Sequence, residues 1–577
     1  MKNLHKKIFT LFIAGALILS YSCSDDFLRV NPIGTLDENV LRNVAGAEKL
    51  LIGVYSNLDG TSQNVTSWNS ASSNWIYGSI AGGEANKGSD AGDNALVAQV
   101  QTFSMDAAND IFNGKWRIVY DGIARTNTLI NLLNTIEGED EATILRIRSQ
   151  AVTLRGHYHF EAKRLWGNVP YLNEDTEGYY VPNDQDIWPL IEADLRFGYE
   201  NLPESMGEVG RVNKWVAGAM LAKALIYQQK FQEAKPIVEA IINNGVNPMG
   251  VKYALIDNFS DNFDIEHNNS AESVFAWQYS ANDGSGGWNA GYGEILNFPY
   301  GGPGSCCGFF QPSQEFVNSF RVDSNGLPML DGSYNSPENA VKSDDGLAST
   351  DPFDLDNGPL DPRLDWTVGR RGIPFFDWGL HPGRDWIRDQ NYGGPYTPKK
   401  QLYKKSQEGL FTEVGQWTTG LTANNYNYIR FAEVILWAAE IEIELGNLDL
   451  ARDYINMIRE RAKNSEYVTY EDGSAAANYQ VDVYPPGHIA FSSQIEARKA
   501  LYFERKLELG LEGHRFFDLV RWGVANEYLN DFINYESQIR TQAYQGAAFN
   551  PGTNNVYPIP LFQIDISRGT LQQNPGY

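Results

Sequence analysis

The sequence predicts a mainly α protein, built as a scaffold of tetratricopeptide-type helix pairs carrying a large loop-rich, partly β insertion. Three observations point there. Apolar residues recur at helical spacing over long windows in both halves of the chain. The same helix–turn–helix layout occurs twice, at 213–243 and again after Ile429. Between the two copies, residues 244–425 are rich in Gly, Pro, Asn, Asp and aromatics and offer few helical windows.

The elements follow in order. After a short acidic lead, Asp37 and Glu38 mark a helix start, and Val44, Ala47, Leu51, Val54 and Leu58 continue it. A Ser/Gly/Asn-rich stretch, Thr66 to Asn94, reads as a long exposed loop, and a loop of that length suggests function. Helices are predicted over Asp110–Leu133, Glu141–Leu165 and Trp188–Asn201. The first pair shows Trp215, Ala219, Leu221, Ala222, Leu225 and Ile226 on one face, then Phe231, Ala234, Ile237, Val238 and Ile241 after a turn. In the second, Ile429-Arg430-Phe431-Ala432-Glu433-Val434 opens a helix through Glu444, Gly446-Asn447 turns it, and Ala451, Tyr454, Ile455 and Ile458 face a core. The two layouts are either repeats of one unit or two unrelated hairpins. Within the insertion, Ser273–Tyr279 alternates like a strand. Helix returns at Ser492–Leu511 and Phe516–Asn526, and Tyr557–Pro560 is extended. The expected division is a leader over 1–22, an N-terminal helical part over 23–243, a loop-rich ligand-binding part over 244–425 and a C-terminal helical part over 426–577, with 24–577 forming one globule.

Composition narrows the function. Of 577 residues, 42% are hydrophobic and 13% aromatic, enough for a large core. The formal net charge is −26, and loss of Lys2, Lys6 and Lys7 with the leader would take it to −29. Such a surface repels nucleic acid and disfavours anionic polymers. The three cysteines form no CxxC pair and the seven histidines no HExxH, so a structural or catalytic zinc site is not expected; the expected cofactor is none, with calcium left open.

The N-terminus reads as a secretory signal: a basic start, an apolar run from Ile8 to Leu19, then Ser20-Tyr21-Ser22-Cys23. A cysteine at that exit resembles a bacterial lipoprotein signal, in which the thiol is lipidated; the alternative is an ordinary signal with a chance cysteine. Ser24-Asp25-Asp26 resembles the surface-export signal of Bacteroidetes lipoproteins. The expected address is therefore the outer face of an outer membrane, held by lipid on Cys23.

Several segments resemble the SusD/RagB family of surface nutrient-binding lipoproteins. Tyr502-Phe503-Glu504-Arg505-Lys506-Leu507-Glu508-Leu509-Gly510 through Arg521-Trp522-Gly523 is similar to its C-terminal signature, Asn427 through Ala462 to its helix-pair segment, and Tyr557 through Tyr577 to its terminus. Trp75-Ile76-Tyr77-Gly78 and Arg155 through Pro170 also match. The resemblance implies a binding protein without catalytic residues. Such a protein sits as a hinged lid over a SusC-like TonB-dependent outer-membrane transporter and captures glycans for import. A peptide-binding scaffold of the same family and a glycoside hydrolase are the alternatives.

The acids and arginines at Glu504, Arg505, Glu508, Glu512, Arg515, Asp518 and Arg521 fall at i, i+3 and i+4 intervals and are expected to pair along one helical flank as a structural clamp. A sugar ring instead needs an aromatic face for its C–H side and polar groups for its hydroxyl rim. Two glycine-rich windows offer both. The first holds Trp68 and Trp75; the second holds Trp288, Asn289, Tyr292, Tyr300, Cys306, Cys307 and Phe310. By position they match the parts of the family that commonly carry binding aromatics. Trp288 leads the expectation because glycines on both sides leave its ring uncovered, whereas Trp75, followed by Ile76 and Tyr77, leans toward the core. Trp378 and Trp386 form a second tier. Cys306-Cys307 is either a vicinal disulfide, a compact apolar knuckle that could touch sugar, or two thiols. The non-basic loops favour a neutral polysaccharide or oligosaccharide, with a β-glucan weakly preferred.

Overall fold

Long helices form where apolar residues recur at helical spacing and a short polar side chain closes the first turn. The computed structural model describes residues 41–61, 67–178 and 180–577; Cys23, Asp37 and Glu38 lie outside them. Asn43 caps α1 (Val44–Ser56) by accepting from the Gly46 N–H at 2.9 Å. Asn109, Asp140 and Asn213 do the same for α2 (Asp110–Leu133), α3 (Glu141–Trp166) and α5 (Lys214–Tyr227). Pro189 stands in the first turn of α4 (Trp188–Asn201), where a missing N–H does no harm. The chain continues through α6 (Phe231–Asn244), α7 (Phe431–Glu444), α8 (Leu448–Asn464), α9 (Gln494–Leu509), α10 (Arg515–Arg521) and α11 (Ala525–Ile539).

From α1 to α9, each helix packs on the next. Small residues set the spacing: a β-carbon added to Gly198 of α4 would lie 1.9 Å from the Thr153 hydroxyl of α3. The two expected helix pairs are α5–α6 and α7–α8. They lie side by side through an α6–α7 contact, so the array resumes where the insertion left it. One hydrophobic core runs from Ala47 to Leu571 and draws on all parts of the chain.

The insertion is closed at its base by an antiparallel pair. Strand β2 (Ser273–Trp277) lies against β4 (Tyr426–Arg430), with Phe275 opposite Ile429. Arg430 therefore ends a strand instead of opening a helix, and α7 starts at Phe431. A second pair joins β1 (Ala85–Gly88) to β3 (Phe309–Pro312), which ties the N-terminal part to the insertion. Near the C-terminus, Gly523 at φ +74° stops α10, and α11 then runs well past the expected end at Asn526.

The largest departure concerns 66–94. Its described part is no exposed loop: residues 67–89 are almost all withdrawn from solvent. Its small residues serve close packing. The π-helical turn Trp75–Ile80 lies against the 510–516 segment, and a β-carbon on Gly78 would fall 1.9 Å from the Gly513 carbonyl oxygen. The Tyr77 hydroxyl donates to the Ile111 carbonyl at 2.9 Å.

The charged C-terminal cluster is a clamp, but most of its partners lie on other elements. Glu504 meets Arg363 and Arg459 at 2.7 and 2.9 Å. Glu508 meets Arg363 and Arg430 at 3.0 Å each, and Arg461 as well. Glu512 meets Arg430 and Lys400 at 2.8 and 2.7 Å. Along the flank itself, Asp518 pairs with Arg521 at 2.9 Å and with Arg505 at 2.7 Å. Arg515 instead donates to the Tyr502 carbonyl at 2.8 Å. Since Arg363, Lys400 and Arg430 come from the insertion and its exit, the network fastens that part to the helices.

Candidate functional site

A tight turn presents Trp288. The Asp283 carboxylate accepts from the Ser285 N–H at 2.9 Å and from the Asn289 amide at 2.7 Å, and the Ser280 N–H donates to the Asn289 carbonyl at 2.8 Å. Bonds from Ser285 and Asn289 hold the Asp283 carboxyl well below the usual carboxylate range. Asn289 is exposed, yet its amide is spent on closing this turn. At its outer side Trp288 keeps 51% of its surface open to solvent. One ring face lies on Tyr292, with centroids 4.9 Å apart and planes 14° apart. Tyr292 is buried beneath it and acts as the backing of the platform.

Trp75 and Phe310 stand behind this turn. Trp75 is 1% exposed, donates to the Gly293 carbonyl at 3.2 Å and packs on Phe310 at 5.7 Å. Both are core residues that support the loop from below, and their burial leaves no ring face open to a ligand. Trp68 is half-buried against the same core. Under the platform, burial pushes the Glu294 carboxyl up to about 7, although Ser73, Asn297 and Lys115 oppose the shift.

Tyr300 forms a second exposed ring, 45% open, with the Arg388 guanidinium 5.2 Å from its centroid. Arg388 is itself paired with Asp90, at 2.8 Å, and with Asp93. Cys306 and Cys307 are joined as a vicinal disulfide across a cis peptide bond, half-buried, with the Cys307 N–H bonded to the Leu296 carbonyl at 3.1 Å. Trp378 and Trp386 pack into a small separate cluster with Phe298, Phe375, Leu402 and Tyr403. Trp378 donates to the Tyr403 carbonyl at 3.0 Å, and the Trp386 carbonyl accepts from the Tyr300 N–H at 3.0 Å. The structure thus brings Tyr300 and Trp386 together and leaves Trp378 as support.

Sequence reasoning missed the segment 408–420. Leu410, Phe411, Val414 and Trp417 are all exposed there. Asn282 ties this segment to the Trp288 turn: its N–H donates to Glu413 at 2.8 Å and its amide reaches the Leu410 carbonyl at 3.3 Å. The signal was present, because Trp417 sits between Gly415 and Gly420 much as Trp288 sits among its own glycines.

A groove of about 580 Å³ also opens on the helical side, lined by Tyr502, Trp522 and Glu444 among others. Within it Arg498 is matched to Glu444 at 2.6 Å and Arg521 to Glu440, while the exposed acids Glu527 and Asp531 also line it. The loop face instead presents the open rings of Trp288 and Tyr300, whose charged neighbours Asp283 and Arg388 are bonded within the protein, which suits an uncharged ligand with apolar faces.

The family model described as "SusD family" matches residues 271–577, and one described as "Starch-binding associating with outer membrane" matches 56–227. SusD-like protein P2 of Formosa agariphila is 24% identical, covering 99% of this chain and 100% of its own. Among solved structures, a laminarin-binding SusD-like protein is similar at TM-score 0.64 and 22% identity, over 92% of this chain and 99% of its own. Surface glycan-binding protein A from Bacteroides thetaiotaomicron, solved with laminarihexaose, is similar at TM-score 0.62 and 19% identity, over 92% and 99%.

Proposed function

The chain belongs to the SusD family, and from that membership we propose that it is a cell-surface lipoprotein that binds a neutral glycan and passes it to a SusC-like TonB-dependent outer-membrane transporter. The observation that carries this reading is Trp288, half-exposed and laid flat on Tyr292. A ring backed on one face and open on the other is a platform for the C–H face of a sugar. Tyr300, with Arg388 beside it, offers a further ring and a donor within the same loop face. The acidic chain favours a neutral ligand. A β-glucan is the first choice, supported by the laminarin and laminarihexaose ligands of the two similar structures.

The protein binds without cleaving. Asp283 is consumed in its turn and Glu294 is buried below the platform, so neither stands as one of two carboxylates flanking an open site. A glycan array probed with the mature protein, followed by calorimetry on Trp288→Ala, tests the binding. Retention of a peptide library and of no glycan would favour the peptide-binding alternative. Steady release of reducing ends, abolished by a single carboxylate substitution, would favour a glycosidase.

A further inference from the structure

We propose that Trp417 is a second stacking platform, which engages a glycan already held on Trp288 and makes the site selective for longer chains. The inference rests on the glycan-binding reading above and extends it to how chain length is read.

Trp417 lies at the tip of a short hairpin whose strands pair Thr412 with Thr422. The tip is closed by the Gly415 N–H donating to the Thr418 carbonyl at 2.8 Å. It is anchored on both sides. The Tyr292 hydroxyl, under Trp288, meets the Gln416 side chain at 3.3 Å, and the Thr418 hydroxyl donates to the Gly304 carbonyl at 2.6 Å. The two turns also share one filler: β-carbons added to Gly287 and Gly415 would each fall on the Leu421 side chain, at 2.7 and 2.5 Å. Trp288 follows Gly287 and Trp417 comes two residues after Gly415, so the two tryptophans rise from turns separated by a single leucine side chain. Despite these anchors, Trp417 keeps 43% of its surface open.

Trp417 is not a lone exposed ring: Trp288, Leu410, Phe411 and Val414 on the same tied segments are exposed as well, and grouped exposed apolar side chains mark an interaction site. Two rings on adjoining turns act as two linked contacts for one chain. The second contact adds affinity only for a ligand long enough to reach both. A short oligosaccharide would be held at Trp288 alone.

Laminaritriose, laminarihexaose and laminarin, titrated calorimetrically into the mature protein, Trp288→Ala and Trp417→Ala, test the proposal. Trp417→Ala is expected to weaken laminarihexaose and laminarin about tenfold and to leave laminaritriose within about twofold, whereas Trp288→Ala weakens all three. Trp417→Tyr, which keeps a ring, is expected to recover most of the lost hexaose affinity, and unchanged melting temperatures exclude a folding effect. Wild-type hexaose affinity in Trp417→Ala, with affinity lost in Trp288→Ala, overturns the second platform alone. A wild-type protein that binds none of the three overturns the β-glucan reading and this proposal with it.

Discussion

Arg430 grips Glu512 through two hydrogen bonds, 2.8 and 2.9 Å long, in a place that solvent does not reach. The same guanidinium meets Glu272 at 2.6 Å and Glu508 at 3.0 Å. Arg430 ends β4 and Glu272 immediately precedes β2, so a single side chain fastens both ends of the loop-bearing insertion to the end of α9. The exposed rings are carried by loops, but those loops stand on this buried ionic base.

Arg430→Ala is therefore expected to destabilise strongly, by about 3–5 kcal/mol, because it takes one cationic partner from each of three buried carboxylates and leaves Glu272, Glu508 and Glu512 to Arg461, Arg363 and Lys400. Arg430→Lys recovers only part of this, since an ammonium cannot reproduce the bidentate grip. Chemical denaturation measures both. An alanine variant within about 1 kcal/mol of wild type would mean that the network contributes little to holding the fold.

Stability should depend on pH in two windows. Burial tends to raise the Glu508 carboxyl, but Arg461, Arg430 and Arg363 outweigh it and hold it far below its ordinary value. A lowered carboxylate contributes stability that is present above the unfolded-state value and is lost as pH falls, so acid weakens the clamp. Glu294 behaves oppositely. Burial raises it from 4.5 to about 7, so the folded protein loses stability as pH climbs between those values. Glu294→Gln, which can still accept from Asn297, is expected to gain up to roughly 3 kcal/mol at pH 8 and nothing at pH 4. Equal effects at both pH values would show that Glu294 ionises freely in the folded state.

Trp288 and Trp75 should separate binding from folding. Trp288→Ala is expected to lower glycan affinity by about 1–3 kcal/mol, tenfold to a hundredfold, with little change in melting temperature. Trp75→Ala removes a fully buried ring and is expected to cost about 3–5 kcal/mol of stability. Calorimetric titration and thermal melts of the two variants check this. Wild-type affinity in Trp288→Ala would remove that ring from the site.

Cys23→Ala is expected to abolish lipid labelling and release or misprocess the protein. Fractionation with the outer membrane and intact labelling in that variant would rule out a lipid anchor at this residue.

Some of this was open to reading in the chain alone. The helices from Asp110 to Asn244, both helix pairs and the signature from Tyr502 to Gly523 are set by neighbours in sequence: apolar spacing, caps and turn residues act within a few positions. Trp288 was also legible, because its flanking glycines have no side chains with which to cover it. Tertiary structure decided what lies inside. Ser, Gly and Asn over 67–89 are a loop composition if the chain is alone, and a close-packing composition once Gly513 approaches Gly78. Trp75 and Trp288 share local surroundings rich in small residues, yet one carries the core and the other faces water. Glu504, Glu508 and Glu512 look for partners along one helical flank in sequence. In space they meet arginines and a lysine that lie 45 to 145 residues away. Burial and ion pairing depend on which distant segments arrive, and a periodic pattern of neighbours does not carry that information.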